Sequence, residues 1–224
     1  MSLSELSRLL GIPTSTCFGL MRTLEAGGYL YEVGGRKMFY PTSRWLMKAR
    51  DIGTHDPVLG IVHPYLEQLR DTSEETVVFS KRLADSVVYL DVMESKQAIR
   101  YTAEVGQLKS MSLTSSGKAL LSAMSAGERN SVMLRLHDAN GARLSSAQRA
   151  QLNNELKKAA INGWFSGRRE TGVDVMAVAV PVCLAGDVFA ISIGGPRPRI
   201  NRRLLFHAEQ LLITIKAIKK QFQG

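Results

Sequence analysis

Cysteine is nearly absent from this sequence. Only Cys17 and Cys183 occur, far apart in the chain, which excludes a disulfide framework and a cysteine zinc site and fits a reducing cytoplasm. Histidine is also scarce, and His55, His63, His137 and His207 show no metal-ligand spacing. No apolar run approaches the roughly 18 residues of a membrane-spanning helix. The N-terminus has no basic segment followed by an apolar one, so neither export nor membrane insertion is expected. No Gly-x-Gly-x-x-Gly occurs, and Gly117-Lys118 lacks the upstream glycine that a phosphate-binding loop requires. No cofactor is therefore expected. Acidic residues are outnumbered, 20 against 29 basic ones, leaving a net charge of +9. That balance suits an anionic partner without proving one.

What is present is enough apolar material, 45% of 224 residues, to build more than one core. Ser2 followed by Glu5 forms a capping box that opens a helix, with Leu3, Leu6, Leu9 and Leu10 on one side and Gly11 to end it. Ile12-Pro13-Thr14 leads into a second helix whose buried stripe is Cys17, Leu20, Met21 and Leu24. Thr14, Ser15, Thr16, Phe18, Gly19 and Arg22 are left on the outer face, and Gly27-Gly28 stops the helix. Two short helices about a glycine turn are what a helix-turn-helix requires. Tyr29–Val33 and Arg36–Tyr40 around Gly34-Gly35 read as a hairpin of the kind called a wing. Residues 44–50 then read as a linker helix, followed by turn formers to Pro57.

From Val58 the pattern changes. A long helix reaches Asp71, followed by strands at Thr76–Lys81, Ser86–Val92 and Ala98–Thr102, and helices at Gly117–Met124, Gly127–Leu136 and Ser146–Ile161. Strands Val175–Val182 and Val188–Gly194 precede one amphipathic helix, Asn201–Gln223. Neighbouring hairpins with helices between them predict an α+β domain on an antiparallel sheet. The domain plan is thus 1–42 for the helix-turn-helix and its wing, 43–56 for the linker and 57–224 for the α+β domain.

Several segments together resemble the IclR family of bacterial regulators: Leu3–Pro13, Leu24–Leu30, Thr114–Leu120, Gly172-Val173, Ala179–Val182 and Ile191–Pro196 followed by Arg199-Ile200. The resemblance implies a winged helix-turn-helix joined by a linker helix to a GAF-like effector domain. It also implies a homodimer or homotetramer on a double-stranded DNA operator, under control of a small-molecule effector. The family pattern places a further helix ahead of the Ser2 capping box, with which this chain does not begin.

A recognition helix offers its first turns to base edges while the wing and helix ends grip phosphates. Thr14, Ser15, Thr16, Phe18 and Arg22 are the candidates on the helix, and Arg36 and Lys37 on the wing. Basic residues outnumber acidic ones by seven to four over residues 1–55, a modest excess that favours a dimer spanning two half-sites. The same residues would otherwise serve only as helix caps and a solvated turn.

For the effector, the resemblance selects Tyr101, Ser115, Ser116, Val173, Val175, Ser192 and Gly194, with Arg100 and Arg168 as counter-charges. Hydroxyls beside a helix start suit a small organic or aromatic acid. Two other readings stand beside this one. One is a ligand-sensing module without DNA binding. The other is a serine acyl-enzyme, because Ser115 and Lys118 have the Ser-x-x-Lys spacing. Other motifs of such enzymes are missing, and no enzymatic activity is expected.

Overall fold

The computed structural model describes residues 2–34, 38–48, 56–167 and 174–223, and the chain forms two compact units, Met1–Pro57 and Val58–Gly224.

In the first unit, helix α1 (Leu3–Leu10) starts at the anticipated box. Ser2 N–H donates to Glu5 Oε2 at 2.8 Å, and Glu5 N–H donates to Ser2 Oγ at 3.3 Å. Gly11, at φ 64°, ends the helix in a left-handed conformation that costs glycine nothing. Helix α2 (Thr14–Ala26) follows Pro13. Strands β1 (Leu30–Val33) and β2 (Met38–Pro41) pair antiparallel, with Val33 opposite Met38. A helical stretch, α3, covers residues 44–48. Its start is tied to the base of the hairpin: Thr42 Oγ1 donates to Gly28 O at 2.6 Å and Trp45 Nε1 to Tyr29 O at 3.1 Å.

The core of this unit is small: Leu3, Cys17, Met21 and Phe39, with Leu6, Ile12, Phe18, Leu24 and Leu30 against it. Leu20, expected in the buried stripe, is outside, as are two of the four leucines on one side of α1. Leu9 and Leu10 lie exposed because the core meets only the first turns of α1. Phe18 and Leu20 flank the Cys17–Met21–Leu24 stripe on opposite sides, and the core closes over the larger Phe18, leaving Leu20 49% exposed.

The second unit opens with α4 (Pro57–Ser73), then the hairpin β3 (Thr76–Leu83) and β4 (Ser86–Met93), short β5 (Leu108–Ser110), and helices α5 (Ser115–Ser122), α6 (Ala126–Met133) and α7 (Ser146–Asn162). Strand β6 (Phe165–Gly167) precedes the long hairpin β7 (Val175–Leu184) and β8 (Asp187–Pro196), then α8 (Arg197–Arg202) and α9 (Leu204–Gln221). Six strands form one antiparallel sheet in the order β5-β4-β3-β8-β7-β6. Between β7 and β8, Ala185 and Gly186 both take positive φ, as a tight hairpin turn with the native strand twist demands.

Three expectations need correction. Ala98–Thr102 is irregular, because no strand among the described residues pairs with it; the Tyr101 carbonyl accepts from Thr76 Oγ1 at 2.5 Å. Phe165–Gly167 is a strand that periodicity did not reveal. The closing helix is two helices, broken at Arg203, where φ −114° and ψ 24° leave the helical range.

Alternation gives the sheet two unlike faces. One carries Val77, Phe79, Met176, Val178, Val180, Val182, Phe189, Ile191 and Ile193 against α4 and α9. On the other, β7 and β8 place Ala177, Ala179, Ala190, Ser192 and Gly194, all buried. Strand β3 adds Val78 to that side, and α5 packs there across β6, β7 and β8. The sheet is therefore thick-sided towards the terminal helices and thin-sided towards α5.

Candidate functional site

In the first unit the candidate surface is the start of α2. Thr14, Ser15 and Thr16 are all exposed there, while Cys17 and Met21 anchor the opposite side of the helix. Ser7 links the two helices across the turn: its hydroxyl donates to Ile12 O at 2.7 Å and lies 3.2 Å from Thr14 Oγ1. Pro13 supplies no side-chain cap to α2, so the first-turn amides remain suited to a phosphate oxygen.

Arg22 is exposed but engaged. Its guanidinium lies 2.5 Å from Glu25, 3.5 Å from Glu32 and 5.2 Å from the centre of the Phe18 ring. Phe18, expected on the outer face, is half-buried in the core and acts as the platform for Arg22. Arg36 and Lys37, expected at the tip of the wing, lie outside the described residues.

In the second unit the effector candidates fall into three groups. Tyr101, Ser115, Ser116, Ser192 and Gly194 are buried on or around the small-residue side of the sheet, and Val175 sits half-buried at its edge opposite Pro196. Arg100 is not among them. It is exposed and donates from Nε to Glu94 Oε2 at 3.3 Å, because the irregular path of residues 98–102 turns it to solvent. Val173, like Arg168, lies outside the described residues.

The buried group has a definite shape. Gly194 pairs with Thr76 on one side and Ala177 on the other. The Tyr101 ring covers it so closely that a Cβ at Gly194 would stand 3.2 Å from Tyr101 Cδ1 and 3.5 Å from Ala177 Cβ. Tyr89, a residue the sequence did not single out, brings its hydroxyl to 3.4 Å from that of Tyr101. Its signal was strand alternation, which puts Tyr89 on the same side as Val87. The remaining unforeseen members, Val78, Ala177, Ala179 and Ala190, are small or apolar and carry no polar group that would mark a site.

Thr114, not Ser115 or Ser116, caps α5, accepting from Gly117 N–H at 3.0 Å. Gly117 is required there, since a Cβ would fall 2.3 Å from Met111 O. Lys118 pairs with Glu155 on α7 at 2.9 Å, so it is engaged elsewhere than as a base for Ser115. Beyond that pair lies an open cleft of about 920 Å³, lined by Lys118, Asp138, Asn140, Gln148 and Glu155 among others, which holds none of the predicted effector residues that the structure describes. Asp138 titrates below its ordinary range because the Asn140 and Ala142 amides donate to its carboxylate.

Among the described residues no helix is long and apolar enough to cross a membrane. Residues 1–34 match the IclR helix-turn-helix domain, and residues 53–220 match the C-terminal domain of bacterial transcriptional regulators of the IclR type. The HTH-type transcriptional repressor AllR of Escherichia coli K12 is 27% identical over 203 residues, covering 89% of this chain and 74% of that protein. The acetate operon repressor of Salmonella typhimurium is 28% identical over 215 residues with the same coverage. In fold, the chain resembles the IclR of Thermotoga maritima (TM-score 0.72, 20% identity, covering all of this chain and 92% of that one). It likewise resembles an IclR family regulator from Brucella abortus (TM-score 0.74, 23% identity, 99% and 84%). These matches together cover both compact units, and the chain belongs to the IclR family of transcriptional regulators, which are not enzymes.

Proposed function

We propose that this chain is a repressor that binds double-stranded operator DNA through α2 and the β1–β2 wing and is controlled by a small organic acid. The observation that carries the first half is the run of exposed hydroxyls at Thr14, Ser15 and Thr16, held by Cys17 and Met21 on the first turn of the second helix. Short hydroxyl side chains reach either base edges or phosphates. Arg36, Lys37 and Arg22 supply charge, Arg22 by exchanging Glu25 for a phosphate. Both relatives described above are named as repressors, which favours that sign of control.

The effector seat is the thin side of the sheet. Ser115 and Ser116 in the first turn of α5 and the hydroxyls of Tyr101 and Ser192 would meet the carboxylate. Ala177, Ala179, Val175 and Gly194 would meet an apolar body, with Val173 closing the set. No acidic or basic group belongs to the described part of this set, so one carboxylate on a compact, largely apolar frame fits it best. The chain acts as a homo-oligomer, because its reader is only mildly basic and gains affinity by touching two half-sites.

A salt series of binding to duplex DNA from upstream of the chain's own gene tests the reading. Sequence-preferring binding that weakens steeply with salt, through release of counterions, supports it. Equal affinity for random duplex at every salt concentration rejects it.

A further inference from the structure

Helix α9 buries His207, Ala208, Leu211, Ile215 and Ile218. Its other side is exposed at Leu205, Glu209, Leu212, Ile213, Lys216 and Lys220. Single exposed leucines are ordinary on protein surfaces, but these fall in one stripe. Leu205 is 76% exposed, Leu212 41% and Ile213 54%, and positions seven and eight residues apart share a helix face. The stripe continues onto the end of α7: a Cβ on Gly163 would lie 3.9 Å from Leu212 Cδ2, and nearby Ile161 is 86% exposed.

Two charges flank the centre of this stripe symmetrically. Glu209 precedes and Lys216 follows the midpoint between Leu212 and Ile213 by equal steps, about 5 Å along the axis at ~1.5 Å per residue. Neither forms a salt bridge among the described residues. Turned end for end on a second copy, the stripe meets itself. Leu212 then faces the partner's Ile213, Glu209 faces the partner's Lys216, and Leu205 lies along the aliphatic stem of the partner's Lys220. A surface that pairs its central apolar groups with one another and Glu209 with the partner's Lys216 under a two-fold rotation is complementary to itself there.

We propose that the outer face of α9 is an antiparallel, two-fold interface with a second copy of this chain. The proposal rests on the homo-oligomer reading above and adds the surface. Helices packed 8–10 Å apart, with Cα atoms about 2.3 Å from each axis, bring the two copies of residue 212 to about 5–6 Å, within disulfide range. The two copies of residue 205 lie about 22 Å apart by the same rise per residue.

The test uses the full chain and light scattering. Glu209→Lys sets lysines against each other across the axis, and Lys216→Glu does the same with glutamates; each variant alone should weaken self-association at least tenfold and lower the mass by one assembly step. The double variant restores opposite charges and should restore the mass, which a folding defect would not do. In a Cys183→Ser background, Leu212→Cys should cross-link under mild oxidant and Leu205→Cys should not. A wild-type mass that neither single reversal changes, no cross-link at 212, or equal cross-linking at 205 overturns the α9 interface and leaves the homo-oligomer reading in place. A monomeric wild-type chain overturns both.

Discussion

Arg199 holds the carboxylate of Glu75 in two parallel hydrogen bonds, Nε to Oε1 at 2.6 Å and Nη2 to Oε2 at 2.7 Å. Glu75 is only 3% exposed, and it immediately precedes Thr76, which pairs with Gly194 and fixes the carbonyl of Tyr101. The ion pair therefore joins α8 to the strand beneath the proposed effector seat. Removing one partner strands a buried charge. Arg199→Gln should cost about 3–5 kcal/mol in unfolding free energy, read by urea denaturation, and adding Glu75→Gln should recover part of it. If the double variant is no more stable than Arg199→Gln, the loss does not come from an unpaired carboxylate.

The two neighbouring glycines at the end of β8 should respond differently to the same methyl group. In Gly195→Ala the new carbon would fall 2.3 Å from Glu75 Oε2, in the grip of Arg199, whereas in Gly194→Ala it would meet the Tyr101 ring at 3.2 Å. Overpacking at position 195 should destabilise the protein by about 1–3 kcal/mol. The change at 194 should leave the melting temperature closer to wild type and shrink the seat. Equal loss of stability in the two variants would count against this geometry.

On the DNA side, hydroxyl and charge contacts should separate in a salt series. Thr16→Ala should lower preference for the operator over random duplex by up to about 1–3 kcal/mol while leaving the salt slope unchanged. Arg36→Ala should weaken both DNAs alike and reduce the slope by about one. An unchanged operator preference after Thr16→Ala would remove that hydroxyl from direct readout.

His207 sets a pH dependence of stability. Burial, reinforced by nearby Arg203, pushes its pKa from 6.5 down to about 4, and neither ring nitrogen has a hydrogen-bond partner among the described residues. The folded state holds the neutral ring. The unfolded chain takes up a proton as pH falls below about 6.5, and the folded state resists until about 4, so stability drains away across that window. His207→Leu should be at least as stable as wild type at pH 7.5, and its advantage should grow as pH falls from 6.5 towards 4. A constant difference between the two proteins over that range would show that His207 is not the group responsible.

The parts of the fold that local chemistry decides were readable from sequence. The Ser2–Glu5 box, the Gly11 turn, the Gly27-Gly28 stop and the alternation of β7 and β8 all reappear in the structure. The misreadings come from partners distant in the chain. Ala98–Thr102 has the composition of a strand and no neighbour to pair with, while Phe165–Gly167 is only three residues long and exists through its pairing with β7. Leu20 and Phe18 traded places because helical spacing gives an angle, not the volume of the core that waits there. Ser115, Ser116, Ser192, Gly194 and Tyr101 could be selected by resemblance. Ala177, Ala179 and Ala190 could not, because what they contribute is their smallness, which acquires meaning only beside Tyr89, Tyr101 and α5.

The unlike faces of β7 and β8 also separate two kinds of inheritance. A change of size at Ala177, Ala179 or Ala190 would alter the proposed effector seat one methyl group at a time, while Val178, Val180 and Ile191, pointing the opposite way from the same backbone, go on holding α9. On that reading, preference among metabolites would drift by single substitutions without first crossing a valley of misfolded intermediates, so one scaffold would be retuned to many chemical signals while the DNA reader stays the same.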